Sequence, residues 1–285
     1  MNRMSRRFRV EGVALVLVLM IVGTISILML NIAITVRSQV ERAQAVLDRN
    51  TAALALRSDE SRLAFALLTE NWVETPAGVS PDPNRPAWNF IGKPFDFGGG
   101  TVTVQDIGGL FVSPQLPRDA PDFKVLLERG MGMDAARSSD IATAIEQKMS
   151  EPGWVALQSF RDGEVGTFFT PQEREWLEKY VILGPKTFNP LTVPDVLLPV
   201  WFQGGALEGI IAARKADEYD DMAYEALVRP LDEFVRTYPG PRFRVSISRR
   251  VGSVELTREA LWAVTPYQSE ALKVWHQRQR AESVQ

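Results

Sequence analysis

Apolar and polar positions alternate along this chain with three different rhythms. Residues 13 to 36, VALVLVLMIVGTISILMLNIAITV, carry no charged side chain. At 1.5 Å per residue, about 20 apolar residues span a ~30 Å hydrocarbon core, so this run predicts a membrane-crossing helix. The next stretch, from Ser38 to Trp72, contains neither Pro nor Gly. Its apolar residues Ala43, Val46, Leu47, Leu54, Ala64, Leu67 and Leu68 recur at roughly helical spacing among charges, which predicts an amphipathic continuation. Together they read as one rod of about 60 residues and roughly 90 Å.

The rhythm then changes. Residues 72 to 100 are rich in Pro, Gly and Asn and end the helix. GTVTVQDIGGLF sets Val102 and Val104 among polar residues, breaks at Gly108–Gly109 and resumes at Leu110–Phe111, a hairpin pattern. Gly98-Gly99-Gly100 lacks the Gly-Lys-Ser/Thr ending of a phosphate loop, so it reads as a turn before a strand. Residues 119 to 238 read as helical, with breaks at Gly130–Gly132 and Gly204–Gly205. Within them TPQEREWLEKYVIL predicts a helix with Thr170 as N-cap, Pro171 first and Glu173 closing a capping box. After Pro239–Pro241 the period falls to two. Phe243, Val245 and Ile247 alternate with Arg244, Ser246 and Ser248, Gly252 makes a turn, and SVELTREALWAV follows as a second strand. EALKVWHQRQ fits either an edge strand or a helix. The fold class expected is α+β: a long N-terminal helix and a small antiparallel sheet, interrupted by an inserted all-helical domain.

Composition narrows the function. The formal net charge is −3, and beyond the first twelve residues 28 basic side chains face 34 acidic ones. Such a balance is unsuited to holding nucleic acid through its phosphates. The chain has no cysteine, which excludes disulfides, iron–sulfur clusters and thiolate zinc. The single histidine, His276, has no nucleophile and carboxylate at a spacing that argues for a triad, so no catalytic residue and no cofactor are expected. The acidic stretch Asp217, Glu218, Tyr219, Asp220, Asp221 offers oxygens that calcium would accept. It lacks the order of an EF-hand and reads equally as a solvated face or a helix cap, so calcium is possible here but no ligand can be assigned. The tryptophans form no periodic stripe.

The apolar run begins after Arg3, Arg6, Arg7 and Arg9, and basic residues on that side keep the N-terminus cytoplasmic. A cleavable signal peptide would have a shorter apolar core, and Ala43-Gln44-Ala45 lies well past the end of this one. The short basic leader ending in Gly12, followed by Val13 and a long apolar helix, resembles a type IV pilin-like prepilin. That resemblance implies a cut between Gly12 and Val13 and a methylated new amine. The prepilin pattern has a glutamate fifth from the cut, where this chain has Leu17. The K-class minor pseudopilin of type II secretion, or general secretion pathway protein K, is the family known for that gap. Two internal stretches are similar to the same class. One is the strand followed by Asp106 and Gly109, although the family's Leu-Asn ending is replaced by Phe111-Val112-Ser113-Pro114. The other is Asn189, Thr192, Pro194, Val196 and Leu197, followed by Ile210, Ile211 and Arg214. The second stretch also resembles a helix-hairpin-helix DNA motif. Its WFQGGA turn lacks the Gly-hydrophobic-Gly hairpin, and the carboxylates from Asp217 onward would repel phosphate, so no nucleic acid is expected.

The resemblance implies a non-enzymatic subunit at the tip of a pseudopilus, single-pass in the inner membrane, with its C-terminal part periplasmic. Implied partners are the I- and J-class minor pseudopilins, the major pseudopilin, the prepilin peptidase and the inner-membrane secretion platform. The expected organisation is a leader over 1–12, a transmembrane and stalk helix over 13–72, pilin-like parts over 73–118 and 239–285, and the helical insertion over 119–238. Two other readings are open. One is an uncut bitopic anchor presenting a periplasmic protein-binding domain; the other is a membrane-tethered hydrolase.

Overall fold

A computed structural model describes residues 4–69, 88–112, 122–149, 164–182, 188–215, 239–265 and 271–283. Helix α1 (Met4–Thr69) is a single unbroken element of 66 residues. It is the one described helix long and apolar enough to cross a membrane. Every described residue from Leu15 to Arg37 is exposed. Its polar interruptions are satisfied locally: Thr24, Ser26, Asn31 and Thr35 each donate to the backbone carbonyl one turn earlier, at 2.6–3.0 Å. In a medium without water, an unpaired polar group costs several kcal/mol, and this bonding removes that cost.

Only the last third of α1 is packed. Ala52, Leu56, Asp59, Leu63, Ala66 and Leu67 form its buried stripe. The stripe differs from the expected one: Val46, Leu47 and Leu54 are exposed, while Ala64 and Leu68 are half-buried. The helix is apolar on two sides, so spacing alone did not identify the covered side. Two ion pairs add to the seam, Asp59 with Arg249 at 3.4 Å and Glu60 with Arg258 at 2.6 Å. Burial raises the pKa of both carboxyls above the usual range, against the pull of these arginines.

The stripe lies on an antiparallel sheet of order β1-β2-β5-β6-β7: β1 (Phe95–Phe97), β2 (Gly100–Asp106), β5 (Arg242–Val251), β6 (Val254–Val264) and β7 (Leu272–Ser283). Phe243, Val245 and Ile247 point into this core, as their alternation predicts. The segment left open between strand and helix is the strand β7. The first hairpin, however, joins β1 to β2 through Gly98 and Gly99, whose φ values of 63° and 89° suit glycine. The hairpin expected at Gly108–Gly109 is absent. Ile107–Gly109 is instead a 3-10 turn, and β3 (Phe111–Val112) leaves the main sheet to pair in parallel with β4 (Val181–Ile182).

A second core gathers between β2 and β5 in sequence. It takes α2 (Phe123–Val125), continued by a π-helical turn over Leu126–Gly130, then α3 (Ala135–Met149), α4 (Pro171–Tyr180), α5 (Leu198–Trp201) and α6 (Gly204–Lys215). The capping box on α4 is present, with Thr170 Oγ1 accepting from Glu173 N and Glu173 Oε2 accepting from Thr170 N. Glu173 also takes two bonds from Arg137 on α3, at 2.6 and 2.8 Å, which hold its carboxyl below the usual range. The break expected at Gly204–Gly205 is corrected. Before α6 there are two 3-10 turns and a four-residue α5, the helical path breaks at 202–203, and Gly204–Gly205 open α6.

Candidate functional site

The two internal stretches singled out in the sequence, some eighty residues apart, meet at one place. Asp106 ends β2 and is fully buried. Its Oδ1 accepts from Gly108 N at 2.9 Å, and its Oδ2 from Thr192 Oγ1 at 2.9 Å and Asn189 Nδ2 at 3.4 Å. The backbone of Gly240, at the entry to β5, donates as well. No cation stands among these partners. Desolvation therefore raises the Asp106 pKa, and the neutral donors only oppose that shift. These bonds hold the end of β2 against the turn over 189–192.

The backbones are as closely fitted. Asn189 N donates to Gly108 O at 2.9 Å, and Gln105 Nε2 donates to Thr192 O at 2.9 Å. A Cβ on Gly109 would sit 2.2 Å from Thr192 O, so only glycine allows the two chains to approach this closely. Arg214 on α6 completes the junction. Its guanidinium donates to the carbonyls of Pro190 and Val193 and pairs with Asp195 at 3.1 Å, and Lys93 reaches the same carboxylate at 2.8 Å. The residues of the two matches thus form a buried polar clasp between sheet and helical unit. Gln105 and Gly240 belong to it too, and Lys93 stands at its exposed rim. Nothing in their local sequence marks them, because their partners lie far away in the chain.

The other candidate residues lie apart. Gly12 and Val13 are within the continuous backbone of α1. Leu17 is 57% exposed, on a helix stretch with no protein around it. His276 falls in β7. Asp217 to Asp221, Trp72 and Trp154 lie outside the described residues. Among the described residues, no three acidic or histidine side chains are grouped to hold a metal. A groove of about 930 Å³ runs between α4 and the sheet face turned away from α1. It is lined by groups of both charges, including Glu178, Arg244, Glu259 and Arg278. Burial there lowers the Arg244 pKa from its ordinary value, and Arg244 donates to the Lys179 carbonyl.

No family model matches the chain, and no curated protein matches it. Among solved structures it is similar to a chain of the crystal structure of the GspK-GspI-GspJ complex from the enterotoxigenic Escherichia coli type 2 secretion system, with 17% sequence identity and a TM-score of 0.44, over 86% of this chain and 98% of that chain.

Proposed function

We propose that this protein is a K-class minor pseudopilin of a type II secretion system, a non-enzymatic subunit that starts or caps the pseudopilus. The observation that carries the reading is the division of α1. An apolar, wholly exposed first part continues without a break into a part packed on a sheet along one side. A simple anchor has no use for that continuity, whereas a subunit that stacks helices beside its neighbours does. The leader supports the same reading: four arginines, Gly12, then Val13. Leu17 supports the end position. In the prepilin pattern a buried glutamate there pairs with a neighbour's free amine, since an unpaired charge in hydrocarbon is costly. A leucine cannot make that pair and fits where no such neighbour exists. The helical unit would be hard to accommodate at every step of a filament, and has open space at its end.

On this reading the peptidase cuts between Gly12 and Val13 and the new amine is methylated. The N-terminus faces the cytoplasm, and residues 38 to 285 lie in the periplasm. Partners are the I- and J-class minor pseudopilins, with the major pseudopilin and the inner-membrane platform behind them. N-terminal sequencing of membrane-extracted protein tests the cut. A modified Val13 start supports it, and an intact Met1 or Asn2 start leaves the uncut anchor instead. Gly12→Glu should abolish processing. Co-purification with the two minor partners tests the position; a long filament of this chain alone would overturn it.

A further inference from the structure

Large apolar side chains that stand exposed among the described residues are confined to α1, with two exceptions. These are Val274, 38% exposed, and Trp275, 41% exposed, neighbours on β7. The strand has twelve residues and ends the sheet, pairing only with β6 among the described residues. Its outer side therefore presents a row of backbone donors and acceptors. The opposite edge, β1, has only three residues.

The two faces of β7 differ. Val274 pairs with Trp262, a residue of the core under α1, and Gln279 accepts from Arg258, which also holds Glu60 of α1. Trp275 pairs with Leu261, and Arg278 with Glu259, both on the groove side, where Arg280 also lies. The strand itself carries three cations, Lys273, Arg278 and Arg280, and a single acid, Glu282, in a chain whose net charge is −3. Charges on an edge commonly serve only to repel other strands. They oppose pairing with a second copy, but do not account for an exposed tryptophan beside an exposed valine, the kind of anchor found at interfaces.

We propose that β7 is a docking edge for an extended acidic segment of a partner protein, which adds as a further strand of the sheet. Backbone bonds to β7 supply the adhesion, and alternate side chains of the segment supply the selectivity. Acidic residues at every second position meet Arg278 and Arg280 on the groove face and release Arg280 from Glu175, an exposed pair at 3.8 Å. A second copy of this chain is the wrong occupant, since it brings the same cations to the edge. The inference does not depend on the export reading, because it concerns only the sheet edge.

The test uses the full-length protein in detergent micelles and two labelled twelve-residue peptides, one alternating glutamate with threonine and one lysine with threonine. Anisotropy should show saturable binding of the acidic peptide, at least about tenfold tighter than the lysine peptide and weakening with salt. Hydrogen exchange should slow at β7 amides when it binds. The double variant Arg278→Glu/Arg280→Glu, and separately Trp275→Ala, should each weaken binding about tenfold, while Asp96→Lys on the far edge leaves it unchanged. The salt dependence and the Trp275→Ala result decide the matter should the double variant fold poorly. Equal binding of both peptides, no binding of either, or indifference to Trp275→Ala would overturn the proposal.

Discussion

The sheet unit and the helical unit each have a hydrophobic core, and the two are built differently. Under the sheet, β5 and β6 supply residues at period two and α1 supplies a stripe, so Phe243, Val245, Ile247, Leu256 and Leu56 fall in register. The helical unit fills its core from short pieces: a π turn, three 3-10 turns and a four-residue helix bring in Leu126, Leu127, Leu191, Leu197 and Leu198. No buried residue belongs to both clusters. What joins them is the clasp around Asp106, together with Arg244 donating to the Lys179 carbonyl and the exposed pair of Arg280 with Glu175. A repetitive core withstands local error because each strand is held by its neighbours. An irregular core depends on a few tight approaches, and the sharpest of these lie at the clasp.

That contrast can be broken most severely at Gly109. Replacing it with Ala puts a methyl 2.2 Å from the Thr192 carbonyl, so the backbone must move. A loss of about 3–5 kcal/mol is expected, in the range of severe core damage. Urea unfolding should then separate into two transitions, whereas Gly205→Ala, with open space around it, should stay within about 1 kcal/mol of wild type. A single unshifted transition for Gly109→Ala would show that the two cores do not depend on this approach. Next in size is Leu56→Ala, which empties a fully buried site under the sheet and should cost about 2–5 kcal/mol. Leu54→Ala, two residues away on a side chain 67% exposed, should change the melting curve by less than about 0.5 kcal/mol.

Asp106→Ala should cost about 2–3 kcal/mol by leaving buried donors on Thr192, Asn189 and Gly108 without their acceptor. Its pH dependence has a definite sign. The folded pKa is raised, so the native state holds the proton more tightly than the unfolded chain. The stabilisation from protonated Asp106 is complete below the unfolded value near 3.8 and is lost as pH rises through the folded value. The gap between wild type and Asp106→Ala should therefore be wider at pH 3.5 than at pH 7, measured by urea titration at both. The smallest effect belongs to Thr170→Ala, which removes one capping bond from α4. About 1 kcal/mol is expected, with faster hydrogen exchange confined to the first turn of that helix.

Legibility in the sequence followed the same division. Where periodicity decides, at β5, β6 and the turn at Gly252, the expected elements are the observed ones. The capping box of α4 was also readable, because both partners lie within four residues. Gly108–Gly109 was misread as a hairpin because a glycine needed for close packing looks identical, in sequence, to one needed for a turn. The stripe of α1 is not legible because the covered Leu56 and Leu63 look the same in sequence as the uncovered Val46, Leu47 and Leu54, while Ala52, Asp59 and Ala66 carry little hydrophobic signal. Asp106, Gly109, Asn189, Thr192 and Arg214 were singled out by resemblance as two separate runs. That they touch is a fact of tertiary structure, which no local spacing encodes.

The unbroken α1 sets a clearance. The apolar run ends at Val36, and the sheet unit meets the helix at Asp48, whose carboxylate occupies the space a side chain on Gly252 would need. The eleven residues between rise about 16 Å without Pro or Gly to bend them. Under the proposed function, with the apolar run in a bilayer, this stretch is a stiff strut that would hold the globular part clear of the headgroups and pass an axial displacement of the run to the sheet as a push rather than as slack.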